Sequence, residues 1–378
     1  MADRESEVIA RLASGIAAVD SAQWNALIGG DPFLTHAFLS SLEDSGSVGP
    51  GTGWSPAPIL IEEDARLLAT APAYLKSHSQ GEYVFDHGWA EAWMNAGGQY
   101  YPKLQIAVPF TPVPGKRLLG SRPQQLLAAA EAVVVQNDLS SAHVTFIDGA
   151  GAGEAERRGW LIRHGIQYHW FNRGYASFDD FLGALKSSKR KAIRKERAAA
   201  REGLEFRALR GPEIGKAEWD AMWLFYQDTG SRKWGQPYLT RAFFDLIGDR
   251  MGDRLLLFLA YRGALPIAGA LNVIGPNALY GRYWGTIDEV PFLHFELCYY
   301  QAIEWAIEHG LSQVQAGAQG EHKIARGYDP VITTSAHFLP NRGFRDAVSV
   351  FLEGERSAIA NELAWLNERR PYRSASPA

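Results

Sequence analysis

One short phrase occurs twice in this chain. Pro32-Phe33-Leu34-Thr35-His36-Ala37-Phe38 returns as Pro237-Tyr238-Leu239-Thr240-Arg241-Ala242-Phe243. A helix candidate bearing a tryptophan precedes each copy, Trp24 in one and Trp219 in the other. After each copy the pattern reads as a helix and then a set of strands. The first set is Pro58 to Glu62, Arg66 to Lys76 and Glu82 to Asp86; the second is Arg254 to Tyr261, Leu265 to Ile274 and Asn277 to Tyr283. Both sets run into an aromatic-glycine cluster, Asp86-His87-Gly88-Trp89 and Tyr283-Trp284-Gly285. A helix and a further strand follow: Pro123 to Gln136 with Ala142 to Ile147, and Leu297 to His309 with Ser312 to Gln315. Repetition at so long a period is the mark of a duplicated unit. The match is loosened by an insertion around Tyr226 to Gln236. Hairpins first and a helical crossover later make each half α+β, with a mixed sheet flanked by helices, and two such halves imply a cleft holding the chemistry.

At 378 residues the chain exceeds a usual single core. The expected division is 1–175, 176–370 and a polar, disordered tail 371–378. A net charge of −4 creates no global attraction to nucleic acid or membrane. A lone cysteine, Cys298, excludes an internal disulfide and a cysteine-based zinc site, and no metal is expected. The N-terminus lacks an apolar signal region, and the longest apolar stretches, such as Leu255 to Ala260, are too short to span a bilayer. A soluble, cytoplasmic protein without membrane insertion is expected, its oligomeric state open.

Four stretches carry candidate chemistry. The loop Val108 to Leu118 has three prolines, one glycine and a Lys-Arg pair between a strand and a helix. Thr111, Val113, Gly115, Lys116 and Arg117 are therefore candidate ligands for a donor's pyrophosphate. A rigid surface connection with two solvated cations explains the loop equally well. Upstream, His87 beside Asp86 is a candidate general base, with Asp86, Trp89, Tyr101 and Lys103 as candidate substrate contacts. A loop histidine beside a helix-capping aspartate is the competing reading.

In the second half, His294 and Glu296 open a helix; Cys298 reads as packing, and His294 as a possible base. Ala316-Gly317-Ala318-Gln319-Gly320-Glu321-His322-Lys323, followed by Arg326, is the strongest candidate. Glycines bring the backbone close to a partner, and four charged or titratable groups follow within six positions. Glu321 is the expected base, while Lys323 and Arg326 would bind an anionic group; Gln319, His322 and Tyr283 are candidate substrate contacts. A charged turn is the plain alternative. The basic stretch Lys186 to Arg201 is either a solvated helix face or a phosphate contact, for instance with tRNA.

The chain resembles the FemAB-like acyltransferases. The resemblance rests on Lys189-Arg190-Lys191-Ala192-Ile193-Arg194-Lys195, on Gly263 to Ala270 with Tyr280 to Gly285, and on the glycine-rich segment ending at Lys323 and Gly327-Tyr328. It implies two tandem GNAT-like (acetyltransferase-type) domains. It also implies an acyl or aminoacyl group passing from acyl-CoA or aminoacyl-tRNA directly to an amine of a small-molecule acceptor, without a covalent enzyme intermediate. It resembles most a bacterial subgroup of generic N-acetyltransferase or peptidoglycan-biosynthesis type. The usual GNAT pyrophosphate loop is not matched by Thr111 to Arg117. A non-catalytic binding protein on the same duplicated fold is the competing class.

Overall fold

The repeated phrase does the same job in both copies of a computed structural model that describes residues 8–234, 237–318 and 320–373. Thr35 caps the helix His36–Asp44 by accepting the Phe38 N–H at 3.1 Å, and Thr240 caps Arg241–Met251 by accepting the Phe243 N–H at 3.3 Å. A threonine three residues ahead of the receiving N–H satisfies a donor that the helix itself leaves unpaired. Phe38 and Phe243 are then fixed inside their cores.

The chain forms two compact units, one of residues 1–165 with 332–360, the other of residues 166–331 with 361–378. In the first unit, strands run in the order Asp329–Phe338, Ala142–Val144, Lys103–Ile106, Ala73–Lys76, Trp54–Pro56. A smaller sheet joins Val8–Leu12, Ile59–Glu63, Arg66–Ala71 and Leu119–Gly120. In the second unit the order is Glu205–Arg210, Leu255–Arg262, Leu265–Ile274, Ala278–Thr286, Gln313–Ala316, Leu161–Phe171.

Each unit contains one parallel pair joined by a helical crossover, as parallel pairing requires. Lys103–Ile106 pairs with Ala142–Val144 across the helix Pro123–Gln136; Ala278–Thr286 pairs with Gln313–Ala316 across residues 293–308. One face of each sheet buries an apolar core against its crossover helix, around Leu104, Ile106, Leu126 and Val144 in the first unit and Leu256, Val314, Ile303 and Trp170 in the second. The opposite face is unusual in both. In the first unit Lys76, Lys103, Gln105, His143 and His337 are buried there; in the second, Gln167 and His169.

Two expectations are corrected. Residues Glu82–Asp86 form no strand, because they deliver two carboxylates to buried lysines. Residues 371–373 are packed rather than disordered: the Tyr372 hydroxyl donates to Gly327 O at 2.5 Å, and Arg373 N donates to Ala184 O at 3.0 Å. The basic stretch lies in the helix Ser187–Arg201, which a separate short helix, Phe178–Ala184, precedes.

Gly285 shows what the aromatic-glycine cluster is for. A Cβ there would stand 1.9 Å from the Phe225 carbonyl oxygen of the helix Lys216–Trp234. That helix can rest on the strand only because the side chain is absent. Gly285→Ala should destabilise the protein by about 1–3 kcal/mol, the usual cost of overpacking; an unchanged melting temperature would refute the close approach.

Candidate functional site

In the first unit, Lys76 and Lys103 stand directly opposite each other on antiparallel strands, both fully buried. Like charges in that register repel, and the segment following Lys76 supplies the answer. Lys103 Nζ donates to Ser79 Oγ at 2.9 Å, to Glu82 Oε2 at 2.8 Å and to Asp86 Oδ2. The Tyr100 hydroxyl also donates to Asp86 Oδ2, at 2.7 Å. Lys76 lies over the Trp54 ring at 3.6 Å, donates to Gln80 O at 3.1 Å, and is 3.8 Å from Glu82 Oε1.

The row continues into a histidine pair. His143 and His337 face each other through their Nδ1 atoms at 2.7 Å, and Ser141 and Ser335 contact their Nε2 atoms at 2.7 and 3.1 Å. Burial pushes both imidazoles down, His143 to about 3, so both are neutral. Burial likewise raises Glu82 to about 7 and lowers Lys76 to about 7. Asp86 stays well below its ordinary range: burial opposes its ionisation, but the Lys103 ammonium, with hydrogen bonds from Lys103 and Ser79, outweighs that.

This geometry reassigns several residues. Asp86 and Lys103 neutralise one another, where contacts to substrate were expected. Asp86 precedes the helix His87–Asn95 but makes no side-chain cap, because its carboxylate is turned to Lys103. His87 is exposed and makes no hydrogen bond to Asp86. Trp89 meets the His337 ring edge-on at 4.9 Å, and the Tyr101 hydroxyl lies 2.8 Å from Ser79 Oγ.

The loop expected to cradle phosphates is also turned inward. Arg117 is buried and donates to the carbonyls of Thr145, Lys116 and Val113 at 3.1, 2.9 and 2.6 Å. Its burial lowers the guanidinium to about 10, still charged at neutral pH. The Thr111 hydroxyl donates to Pro109 O at 2.9 Å, Val113 is buried, and Gly115 N donates to Phe146 O at 3.0 Å. Only Lys116 is exposed. Prolines and an internally satisfied arginine make this loop a structural brace; its donors are spent on the chain itself.

In the second unit the parallel pair ends in a fork. Gly281 is opposite Ala316 in the last register pair, and the first strand continues to Thr286 while the second stops. Lys323 stands at this fork. It lies on the short helix Glu321–Arg326, is 1% exposed, and donates from Nζ to Gly317 O at 2.8 Å. Among the described residues it has no carboxylate partner. Burial lowers its pKa to about 8.

Around it are the other candidates. His322 Nε2 is 2.9 Å from the Tyr299 hydroxyl. The His294 ring sits edge-on to Trp284 at 5.2 Å and to Tyr299 at 5.2 Å. Glu321 is exposed on the same helix as Lys323. Tyr283 packs instead against Tyr226 and Phe244, on the far side of the strand from Trp284. Gln319 lies outside the described residues.

Arg326 has a different role from anion binding. Its guanidinium pairs with Glu196 at 2.8 and 3.1 Å, receives the Phe295 ring at 3.5 Å and donates to His322 O at 2.8 Å. Tyr300 donates to the same Glu196. Residues Glu296–Tyr300 form one π-turn in the crossover helix, a feature that often accompanies functional sites. Glu296 is fully buried there and held by Arg197 and Arg201 at 3.0 and 2.7 Å. Half of the basic helix thus faces inward to fix the crossover. Lys191 and Lys195 remain exposed, with Lys189 and Arg190 half-buried. Glu196, Tyr299 and Tyr300 escaped sequence reasoning, since a single acid in a basic run has no local signature.

The FemAB-like family model, described as peptidoglycan biosynthesis/recognition, matches residues 15–374. The chain belongs to this family. The crystal structure of FemX aligns with a TM-score of 0.53 at 12% identity, covering 87% of this chain and 97% of that one. A conserved protein of unknown function from Bacteroides thetaiotaomicron VPI-5482 aligns at 0.51 with 10% identity, covering 88% and 99%. A tandem GNAT protein from the clavulanic acid biosynthesis pathway also aligns, at 0.47 with 12% identity over 89% and 99%. No functionally curated protein matches. The fold is α+β with two GNAT-like units, as expected. Among the described residues no helix is long and apolar enough to cross a membrane.

Proposed function

We propose that this protein transfers an acyl or aminoacyl group from an activated donor to an amine, at the fork of the second unit. The observation that carries the reading is Lys323, a buried ammonium beside the strand ends with no counter-ion among the described residues. Burying a charge without a partner is costly, and an anionic group of the substrate, or the oxygen that gains charge when the acyl carbon is attacked, would supply the missing partner. The family assignment supports a transferase of this general kind.

In the transfer, a nitrogen–carbon bond forms, the ester or thioester bond breaks, and the amine's proton leaves to Glu321 or to water. Because the donor is already activated, positioning supplies much of the rate. No covalent enzyme intermediate is needed.

The basic helix is where the two donors would differ. Arg197 and Arg201 are committed to Glu296 and Glu304, and Arg194 to Asp179. Phosphate contact therefore falls to Lys189, Arg190, Lys191 and Lys195. With an aminoacyl-tRNA donor, binding should weaken with log-salt slope of about −0.7 to −0.9 per phosphate contact. Reversing Arg190 and Lys191 to glutamate should abolish it. An acyl-CoA donor would be nearly indifferent to both. The decisive assay offers acyl-CoAs and charged tRNAs with a panel of amine acceptors and follows transfer by mass spectrometry. Absence of transfer from every donor would sink the proposal and favour a binding protein.

The lysine also sets a pH dependence. Its folded pKa of about 8 lies below the ordinary 10.5. Between those values the unfolded chain holds the proton and the native state does not, so this group's contribution to stability rises with pH there. Anion binding needs the charged form and runs the other way. Affinity for the anionic substrate should fall as pH rises through about 8. In Lys323→Arg that fall should vanish, since arginine stays charged.

A further inference from the structure

We propose that the rim of the fork selects an acceptor whose amine is carried on an apolar body, an arylalkyl or alkyl amine, with Phe292 as the specificity-determining residue. Calling that amine the acceptor rests on the transfer reading above; its binding does not.

The backbone singles out Phe292. Among the described residues three phenylalanines have a positive φ: Phe110 at 57°, Phe146 at 54° and Phe292 at 63°. A bulky side chain resists that left-handed conformation. Phe110 and Phe146 are 3% and 4% exposed, so burial of the ring offsets the strain. Phe292 is 40% exposed and gains little that way. Its backbone makes the turn into the crossover helix, where its carbonyl accepts the Glu296 N–H at 3.0 Å. Glycine would make the same turn without strain. The position therefore keeps a ring at the surface against its own backbone preference, and strain of this kind collects at ligand sites.

The ring stands at the end of a row that leads to Lys323. Phe292 is 6.3 Å from Phe295, ring to ring, and Phe295 is 5.5 Å from His322, the residue before Lys323. Arg326 already lies on the Phe295 ring, so the open apolar surface is that of Phe292 and of Ile287, which is 44% exposed in the same loop. Between these two, Asp288 is held by Arg262, whereas Glu289 is exposed with no ion pair among the described residues. Residues 287–292 contain no lysine or arginine.

An apolar rim carrying a spare carboxylate suits only one of the two substrates. Lys323, further in, takes the oxygen of the transferred carbonyl. The rest of the donor, whether CoA or tRNA, carries phosphates that Glu289 repels. The acceptor amine is a cation in neutral water until it gives up a proton, as the lysine side chain is. A carboxylate and the face of an aromatic ring both attract that cation, and an apolar body behind it is drawn out of water onto Phe292 and Ile287.

The test uses the full chain without a donor, with calorimetry and saturation-transfer NMR against phenethylamine, ethylamine and 2-phenylethanol. Phenethylamine should bind at least about tenfold more tightly than ethylamine, which lacks the ring; that factor is roughly 1.4 kcal/mol. Phe292→Gly should weaken phenethylamine by a similar factor and leave ethylamine unchanged. Its melting temperature should hold or rise, because the relieved strain offsets the freedom that glycine adds to the unfolded chain. Glu289→Gln should weaken phenethylamine about two- to fivefold, the range of an exposed charge pair, and leave 2-phenylethanol alone. No binding of phenethylamine, equal affinity for phenethylamine and ethylamine, unaltered affinity in Phe292→Gly, or a lowered melting temperature in that variant would each overturn the assignment. Binding with the expected pattern in a chain that transfers from no donor would keep this site and sink the transfer reading; transfer without the pattern would do the reverse.

Discussion

Lys103→Met should cost about 3–5 kcal/mol of stability, read as a shift of the denaturant midpoint, although no part of the fork is touched. Removing one partner of a buried ion network leaves the other charge without compensation. Lys103 holds Glu82 and Asp86 together and donates to Ser79 as well. Without it Asp86 keeps the Tyr100 hydroxyl at 2.7 Å, its contact with Ser79 and a distant, neutral His143 at 3.9 Å. Glu82 can shed its charge, because burial already raises it to about 7. Asp86 owes its low pKa chiefly to Lys103 itself, so it loses more stabilisation than Glu82 when the ammonium goes, and most of the loss should come from it. Lys103→Met with Asp86→Asn should therefore recover a large share. A loss below about 1 kcal/mol in the single variant would mean that the cluster is not held as described. A domain's whole stability is typically 5–15 kcal/mol, so this one lysine bears on whether the first unit folds.

How much of this could be read in advance follows from the range of each interaction. The threonine caps and the helix Pro123–Gln136 rest on neighbours within a turn, and their signals are in the local sequence. The repeat disclosed the duplicated strand-helix-strand order because it needs only the succession of elements. The paired lysines did not show, since Lys76 and Lys103 become opposite only through strand register. The histidine pair joins residues 194 positions apart, and no periodicity announces that. Arg117 misled for a similar reason. A Lys-Arg pair in a proline-rich loop looks solvated until Thr145, just past the strand Ala142–Val144 beyond the next helix, supplies the carbonyl that accepts the arginine's Nε–H. The segment Glu321 to Arg326 was legible as a charged cluster, but not the division within it. Among the described residues Lys323 has no acid, whereas Arg326 has Glu196.

That division makes Lys323→Met the sharpest test of function. Arg326 has a bidentate partner and an aromatic face, so its removal should mainly disturb packing. Lys323 gives the folded chain one hydrogen bond to a carbonyl at 2.8 Å and is disfavoured there as a cation. A methionine of similar shape removes that unpaired charge, and the melting temperature should hold or rise. Transfer should nevertheless fall by about 10²–10³-fold, the typical cost of losing one stabilising group at a developing oxyanion. If the lysine acts on the transition state, kcat should carry the loss; if it only anchors an anionic part of the substrate, KM should rise with kcat intact. A variant as active as the parent would remove Lys323 from the reaction. A variant that is both inactive and unfolded would show that the lysine is structural, contrary to its lack of a counter-ion. Stability kept and transfer lost is the one combination that an unpartnered buried cation explains, because such a charge is tolerated for what it binds rather than for what it holds.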